Sequence, residues 1–252
     1  MQSISRIIIG IFLSGITCIS IYAQEAELRA AETAYAAEQY DKAIELYELL
    51  LKNYGVSGEL YYNLGNAYYK TGKTAHAILN YERAILINPG DGDVRFNLEM
   101  ARQQTDKIEP LQEFFMKKWF RSVQNLIGVD SWATIGLVCF VTLICCLVLF
   151  FFSKWMYLKK AGFYAGILLL FTVIMANIFA WNQKNELENR RAAIIFTPTV
   201  TAKSSPDNSG TDLFVLHEGT KVLIRITVGD WYEIALEDGN VGWINKKDIV
   251  II

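Results

Sequence analysis

The 252-residue chain is 52% hydrophobic with a mean hydropathy of +0.22, too apolar for a single soluble domain. A net charge of −2 offers no electrostatic footprint for nucleic acid. Its four cysteines, Cys18, Cys139, Cys145 and Cys146, all lie in apolar runs without CxxC spacing, so neither a disulfide framework nor a thiolate metal site is expected.

The chain opens with Arg6 and then an apolar run from Ile7 that ends at Ile21-Tyr22-Ala23, before Gln24. This reads as a signal peptide or an uncleaved N-terminal anchor over 1–23, with Glu25, Glu27 and Glu32 favouring export of the segment after it. From Glu25 the apolar period becomes helical and repeats. Ala43 and Tyr47 recur 34 residues later as Ala77 and Tyr81. Tyr61, Leu64, Gly65, Tyr68, Ala77, Tyr81, Ala84 and Pro89 form the better copy, and Phe96-Asn97-Leu98 begins a third. These residues resemble the tetratricopeptide repeat. The resemblance implies two helical hairpins and a lone capping helix over 24–105. It also implies a concave face lined by the first helix of each hairpin. Arg29, Glu32 and Tyr35 would start that face, followed by Tyr62, Asn63, Asn66, Tyr69 and Lys70, then Phe96, Asn97 and Met100. The expected partner-binding groove is Tyr62, Asn63, Asn66, Tyr69, Lys70, Phe96 and Asn97. Asparagine can both donate to and accept from a peptide backbone, and the aromatics add contact area. Alternatively, Asn63 and Asn97 only satisfy neighbouring backbone groups or water. Leu28 and Glu32 replace the charged clamp of some relatives, so a terminal carboxylate is not the expected ligand.

After Lys107–Pro110, residues 110–128 carry a stripe of Leu111, Phe115, Trp119, Val123 and Ile127 among Lys117, Lys118 and Arg121. The stripe predicts a helix on a membrane surface or one packed on the repeats. Residues 132–152 and 161–181 are each long enough to cross a bilayer. Trp132, Trp155, Tyr157 and Trp181 mark their ends. The short link Ser153–Lys160 turns the second helix straight back, which puts both flanks on one side. Three lysines in that link, and the exported N-terminal flank, place the link in the cytoplasm and both flanks in the periplasm. Six cations outside the spans (Lys117, Lys118, Arg121, Lys184, Arg190 and Arg191) argue the reverse and are outweighed by the first signal.

A charged linker over 182–193, read as a helical exit from the second apolar run, precedes short runs of strand character at 194–197, 212–216, 221–227, 231–236, 241–244 and 249–252, separated by turn residues. Together they predict a small all-β barrel over 194–252. The pieces KSSPDNSGTDLFVLHEGTKV, GDWYEI and GWI resemble a bacterial SH3-like domain. Trp231, Tyr232 and Trp243 either present an aromatic ligand surface or fill the core. His76 and His217 lie in different segments and read as surface or turn residues. No catalytic constellation, cofactor motif or metal site is visible, so the chain reads as non-enzymatic.

The expected fold class is thus a multidomain membrane protein. It combines all-α tetratricopeptide repeats, a two-helix transmembrane hairpin and an SH3-like barrel. This order, with the run Asp93–Arg102, resembles the BatE family of the Bacteroides aerotolerance (Bat) group. The resemblance implies an adaptor in an envelope complex linked to aerotolerance or stress. The implied partners are von Willebrand factor A-domain membrane proteins and a MoxR-type ATPase system. A sensor that binds peptidoglycan is the alternative.

Overall fold

The computed structural model describes residues 23–189 and 191–252. The expectation for the N-terminal segment falls outside them. Five helices come first: α1 over residues 23–36, α2 Tyr40–Tyr54, α3 Gly58–Lys70, α4 Thr74–Ile87 and α5 Gly92–Arg102. Two are capped by side chains: Ser57 Oγ accepts from Leu60 N at 3.1 Å, and Asp91 Oδ1 from Asp93 N and Val94 N. Gly72 makes the α3–α4 turn at φ +74°, a conformation that penalises a Cβ. Alternating small and large residues fill the interior, with Ala43, Ala67, Ala77 and Ala84 against Tyr47, Leu64, Ile78 and Tyr81, all buried.

Next come α6 Phe115–Gln124, α7 Val129–Phe152 and α8 Met156–Glu188. The last two pack as an antiparallel pair with Gly136, Gly162 and Gly166 at the contact. Both are long and apolar enough to cross a membrane. Their outer faces stay uncovered, Leu137, Phe140, Phe151, Phe163, Leu168 and Phe171 among them. A soluble core helix would bury these side chains. At about 1.5 Å per residue, α8 is roughly 50 Å long and outruns a bilayer core. Its last turns, to Glu188, continue the helix into the charged stretch after Trp181, which the sequence predicts as a helical exit.

The C-terminal part is one antiparallel sheet of seven strands in the order β3-β2-β6-β5-β4-β1-β7. The strands are β1 Ala192–Ile195, β2 Thr199–Lys203, β3 Asp212–His217, β4 Lys221–Val228, β5 Trp231–Ala235, β6 Val241–Asn245 and β7 Ile249–Ile251. β2 is not among the strands the sequence predicts. Its TVTAK nevertheless pairs with β3 along its length. All seven strands, from Ala193 to Ile249, feed a single core cluster, so the sheet curls around its own interior.

The repeats and the sheet share a seam. β1 is buried on both faces: Ala193 and Ile195 point into the sheet core, while Ile194 joins the repeat core. Glu82 of α4, 4% exposed, meets Arg102 of α5 and Lys221 Nζ of β4, the latter at 2.7 Å. Asp106 Oδ2 accepts from His217 N at 2.8 Å and Thr220 Oγ1 at 2.9 Å, and its Oδ1 lies 2.7 Å from His217 Nδ1. The His76 ring sits between Tyr68 and Phe196, each ring centroid 4.8 Å away. Arg83 donates to the carbonyl of Ile251 at 3.0 Å. His76 thus lies inside the seam rather than on open surface, whereas His217 stays exposed at the end of β3 and joins the seam's edge through Asp106. Their partners across the seam, Phe196 for His76 and Asp106 for His217, come from distant segments and have no local signature.

Burial alone would raise Glu82 and Asp106, but the cations on Glu82 and the hydrogen bonds on Asp106 hold both below the usual carboxylate range. Each then adds stability above its ordinary pKa that is lost as pH falls through the lower folded value. Burial lowers His76 from 6.5, so the folded state keeps it neutral and acid opposes folding below that pH. We expect the melting temperature of the full chain in detergent to decline below pH 6.5, before Glu82 and Asp106 lose their charge. His76→Phe should flatten that first decline. An unchanged slope in the variant would remove His76 from the seam.

Candidate partner-binding groove

α3 and α5 lie beside each other, and their facing sides, with Tyr35 of α1, enclose a depression of about 340 Å³. Its walls are Tyr35, Tyr62, Tyr69, Phe96 and Met100, and its polar floor is Asn66, Asn97 and Tyr81. Lys70 stands at the rim and is the only charged residue among the described ones that line it. Asn66 Oδ1 accepts from Tyr81 Oη and from Asn97 Nδ2, each at 2.8 Å. Asn97 Nδ2 also reaches Tyr62 Oη at 3.2 Å. The Tyr81 hydroxyl and the Asn97 amide thus converge on one acceptor, Asn66 Oδ1, which fixes the rotamers beneath the aromatic walls. Burial, with neighbouring phenols adding to it, raises Tyr35 and Tyr81, so both remain neutral hydrogen-bonding groups at physiological pH.

Of the residues expected here, the structure brings Tyr62, Asn66, Tyr69, Lys70, Phe96 and Asn97 to one depression, together with Tyr35 and Met100. Asn63 does not line it. Arg29 is exposed and paired with Glu25 at 2.6 Å, and Glu32 is likewise outside the lining. The repeat pattern gives Tyr81 only an interhelix packing role. Its ring does pack, but its hydroxyl reaches the floor. A phenol at a buried repeat position needs a polar partner, and that need is the signal in the sequence.

On the sheet, Ile234 and Ile244 point inward and are fully buried. Alternation puts Tyr232 on their side, partly packed on the core, and sends Trp231 and Trp243 to the outer face. Trp243 is paired with Glu233 and Lys203, and Trp231 with Asn245. Both tryptophans are half-buried and neither fills the core. Among the described residues no cluster of three His, Cys, Asp or Glu could hold a metal ion.

Residues 58–91 match the tetratricopeptide repeat family, a span that begins with α3 and runs through α4 to the α5 N-cap. The chain therefore contains a tetratricopeptide repeat, a module that supports binding to protein partners. No curated protein matches the chain.

Proposed function

We propose that the chain is a non-enzymatic, membrane-anchored adaptor whose groove holds a protein partner. The observation that carries this reading is the groove itself, where Phe96 is 66% exposed beside Tyr69 and Lys70 over a pre-ordered polar floor. Exposed aromatics over fixed rotamers are what a partner side chain can use without a large ordering cost. α7 and α8 cross the inner membrane as a hairpin, supported by their length and their bare apolar faces. The shared seam supports placing repeats and sheet on one side, as two crossings between them require. That side is the periplasm. The curled sheet acts as an SH3-like module, and the assembly served is an envelope complex of the aerotolerance type. Von Willebrand factor A-domain proteins and a MoxR-type ATPase system are the partners the resemblance favours. A second reading, a sensor of peptidoglycan, draws support from the outward Trp231 and Trp243.

A photoreactive phenylalanine analogue at Phe96 of the full chain in membranes should give a discrete cross-linked protein species. Lys70→Ala with Met100→Ala should abolish it, because both line the groove outside its hydrogen-bonded floor. The same probe at Glu45, exposed on α2, should give none. Equal yields from Phe96 and Glu45 would overturn the groove assignment.

A further inference from the structure

The sequence leaves α6 a place either on a membrane surface or against the repeats. It does not pack on the repeats through Phe115, Met116 or Trp119, which are 73%, 57% and 55% exposed. Together with Phe114, these make an apolar strip outside the two long helices, while Leu111 is held to the sheet, its N–H donating to the Glu237 carbonyl at 2.9 Å. What holds α6 is its other end. Gln183 Nε2 of α8 donates to the carbonyls of Gln124 at 2.7 Å and Ile127 at 2.9 Å. Trp132 Nε1 of α7 donates to the Gln124 carbonyl at 2.8 Å, and Asn182 Nδ2 reaches Gln124 Oε1 at 3.3 Å. Phe120 stacks edge-on against Phe179, centroids 5.0 Å apart. The repeats sit on the same joint. A Cβ on Gly90 would lie 2.2 Å from the Leu126 carbonyl oxygen, and one on Gly128 3.0 Å from that of Ile87.

We propose that α6 is a third membrane contact, lying in the outer-leaflet interface with Phe115, Met116 and Trp119 among the acyl chains. The inference rests on the hairpin's crossing the bilayer. The bilayer is the occupant because the strip is bare, like the outer faces of the hairpin, and α6 is pinned to the end of that hairpin through Gln124 and Phe120. The helix also has the make-up of an interfacial one. Lys117, Lys118 and Arg121 occupy the side opposite the strip, and Trp119 is suited to headgroup depth. Glu113 already engages Arg121 at 2.9 Å and Lys117 at 3.6 Å, so burial of the strip rather than net charge supplies the attraction. A helix of this type seats its apolar face about 5–10 Å into the interface. With the Gly90–Leu126 contact, that seating holds the repeats against the bilayer at a fixed tilt.

Nitroxide labels on single cysteines in the full chain, the four native cysteines replaced, test this in liposomes. The sites are Met116→Cys on the strip, Lys117→Cys on the opposite side of α6, and Leu137→Cys on the outer face of α7. The proposal expects Met116 and Leu137 to be more accessible to oxygen than to a water-soluble nickel complex, and Lys117 the reverse. Nickel access at Met116 with oxygen access at Leu137 overturns the α6 contact and leaves the hairpin in place. A Met116 label shielded from both probes also overturns it, since a protein surface then covers the strip. Nickel access at Leu137 overturns the membrane reading itself.

Discussion

Glu82→Ala should destabilise the repeat–sheet unit by about 3 kcal/mol, a large share of a typical 5–15 kcal/mol total. The carboxylate is 4% exposed, and it neutralises Arg102 from its own repeat array and Lys221 from the sheet. Removing it leaves two cations facing each other across the seam. The figure sits at the low end for a broken buried pair because the Arg102 and Lys221 side chains are 30% and 27% exposed and keep part of their water. The damage should be local to the seam. Amide exchange at Ile194 and Ile195 should rise well before that at Leu64 and Ala67, in the heart of the repeats. Adding Lys221→Met should return part of the loss, since one stranded charge is then gone. A Glu82→Ala chain that melts within about 0.5 kcal/mol of the parent, as a surface change does, would mean that repeats and sheet are not held by this ion triad.

The second large effect is expected at Gly65. A Cβ there would stand 2.7 Å from Cδ1 and Cε1 of Tyr81, closer than packed atoms tolerate. The ring cannot swing away, because it is 1% exposed and its hydroxyl is tied to Asn66. Gly65→Leu gains about 1 kcal/mol of helix propensity but inserts four carbons into this contact, and the net loss should reach about 3 kcal/mol. The cost must be shared with Tyr81. In a Tyr81→Ala background Gly65→Leu should cost far less, because the new side chain then occupies the space of the lost ring. Thermal melts of the four chains in a double-mutant cycle would measure this. Equal costs of Gly65→Leu in the two backgrounds would show that α3 and α4 do not meet where the repeat pattern places them.

The helical repeats and the two long apolar helices were legible because both are written in local periodicity. The 34-residue spacing from Ala43 and Tyr47 to Ala77 and Tyr81 fixes which residues face the interior, and two unbroken apolar runs fix α7 and α8. The groove was legible for a related reason, since the first helix of each hairpin contributes at a fixed phase. Its polar floor was harder to read. Tyr81 comes from the second helix, and its hydroxyl crosses to Asn66. The seam had almost no local trace. Glu82 meets partners 20 and 139 residues away, and Asp106 meets residues 111 and 114 further on. One clue did exist. Residues 192–195 read Ala-Ala-Ile-Ile, a continuous apolar run where a one-faced strand would alternate, and such a run marks burial on both faces. The two tryptophans were ambiguous because alternation alone does not say which phase points inward. The buried Ile234 and Ile244 settle that phase and send Trp231 and Trp243 outside.

The central claim is a groove-bearing unit displayed outside the cytoplasmic membrane on a hairpin anchor, and labelling of single cysteines tests it most directly. Asn53 on α2 and Asn208 in the β2–β3 loop are exposed, and Ser153 lies between α7 and α8. Each is replaced by cysteine in a full chain whose four native cysteines have been removed. Treated with an impermeant thiol reagent, intact spheroplasts should label at 53 and 208 but not at 153, which should react only after lysis. Labelling at 153 in intact cells with 53 and 208 protected would invert the molecule. Opposite behaviour at 53 and 208 would contradict the seam that holds repeats and sheet together.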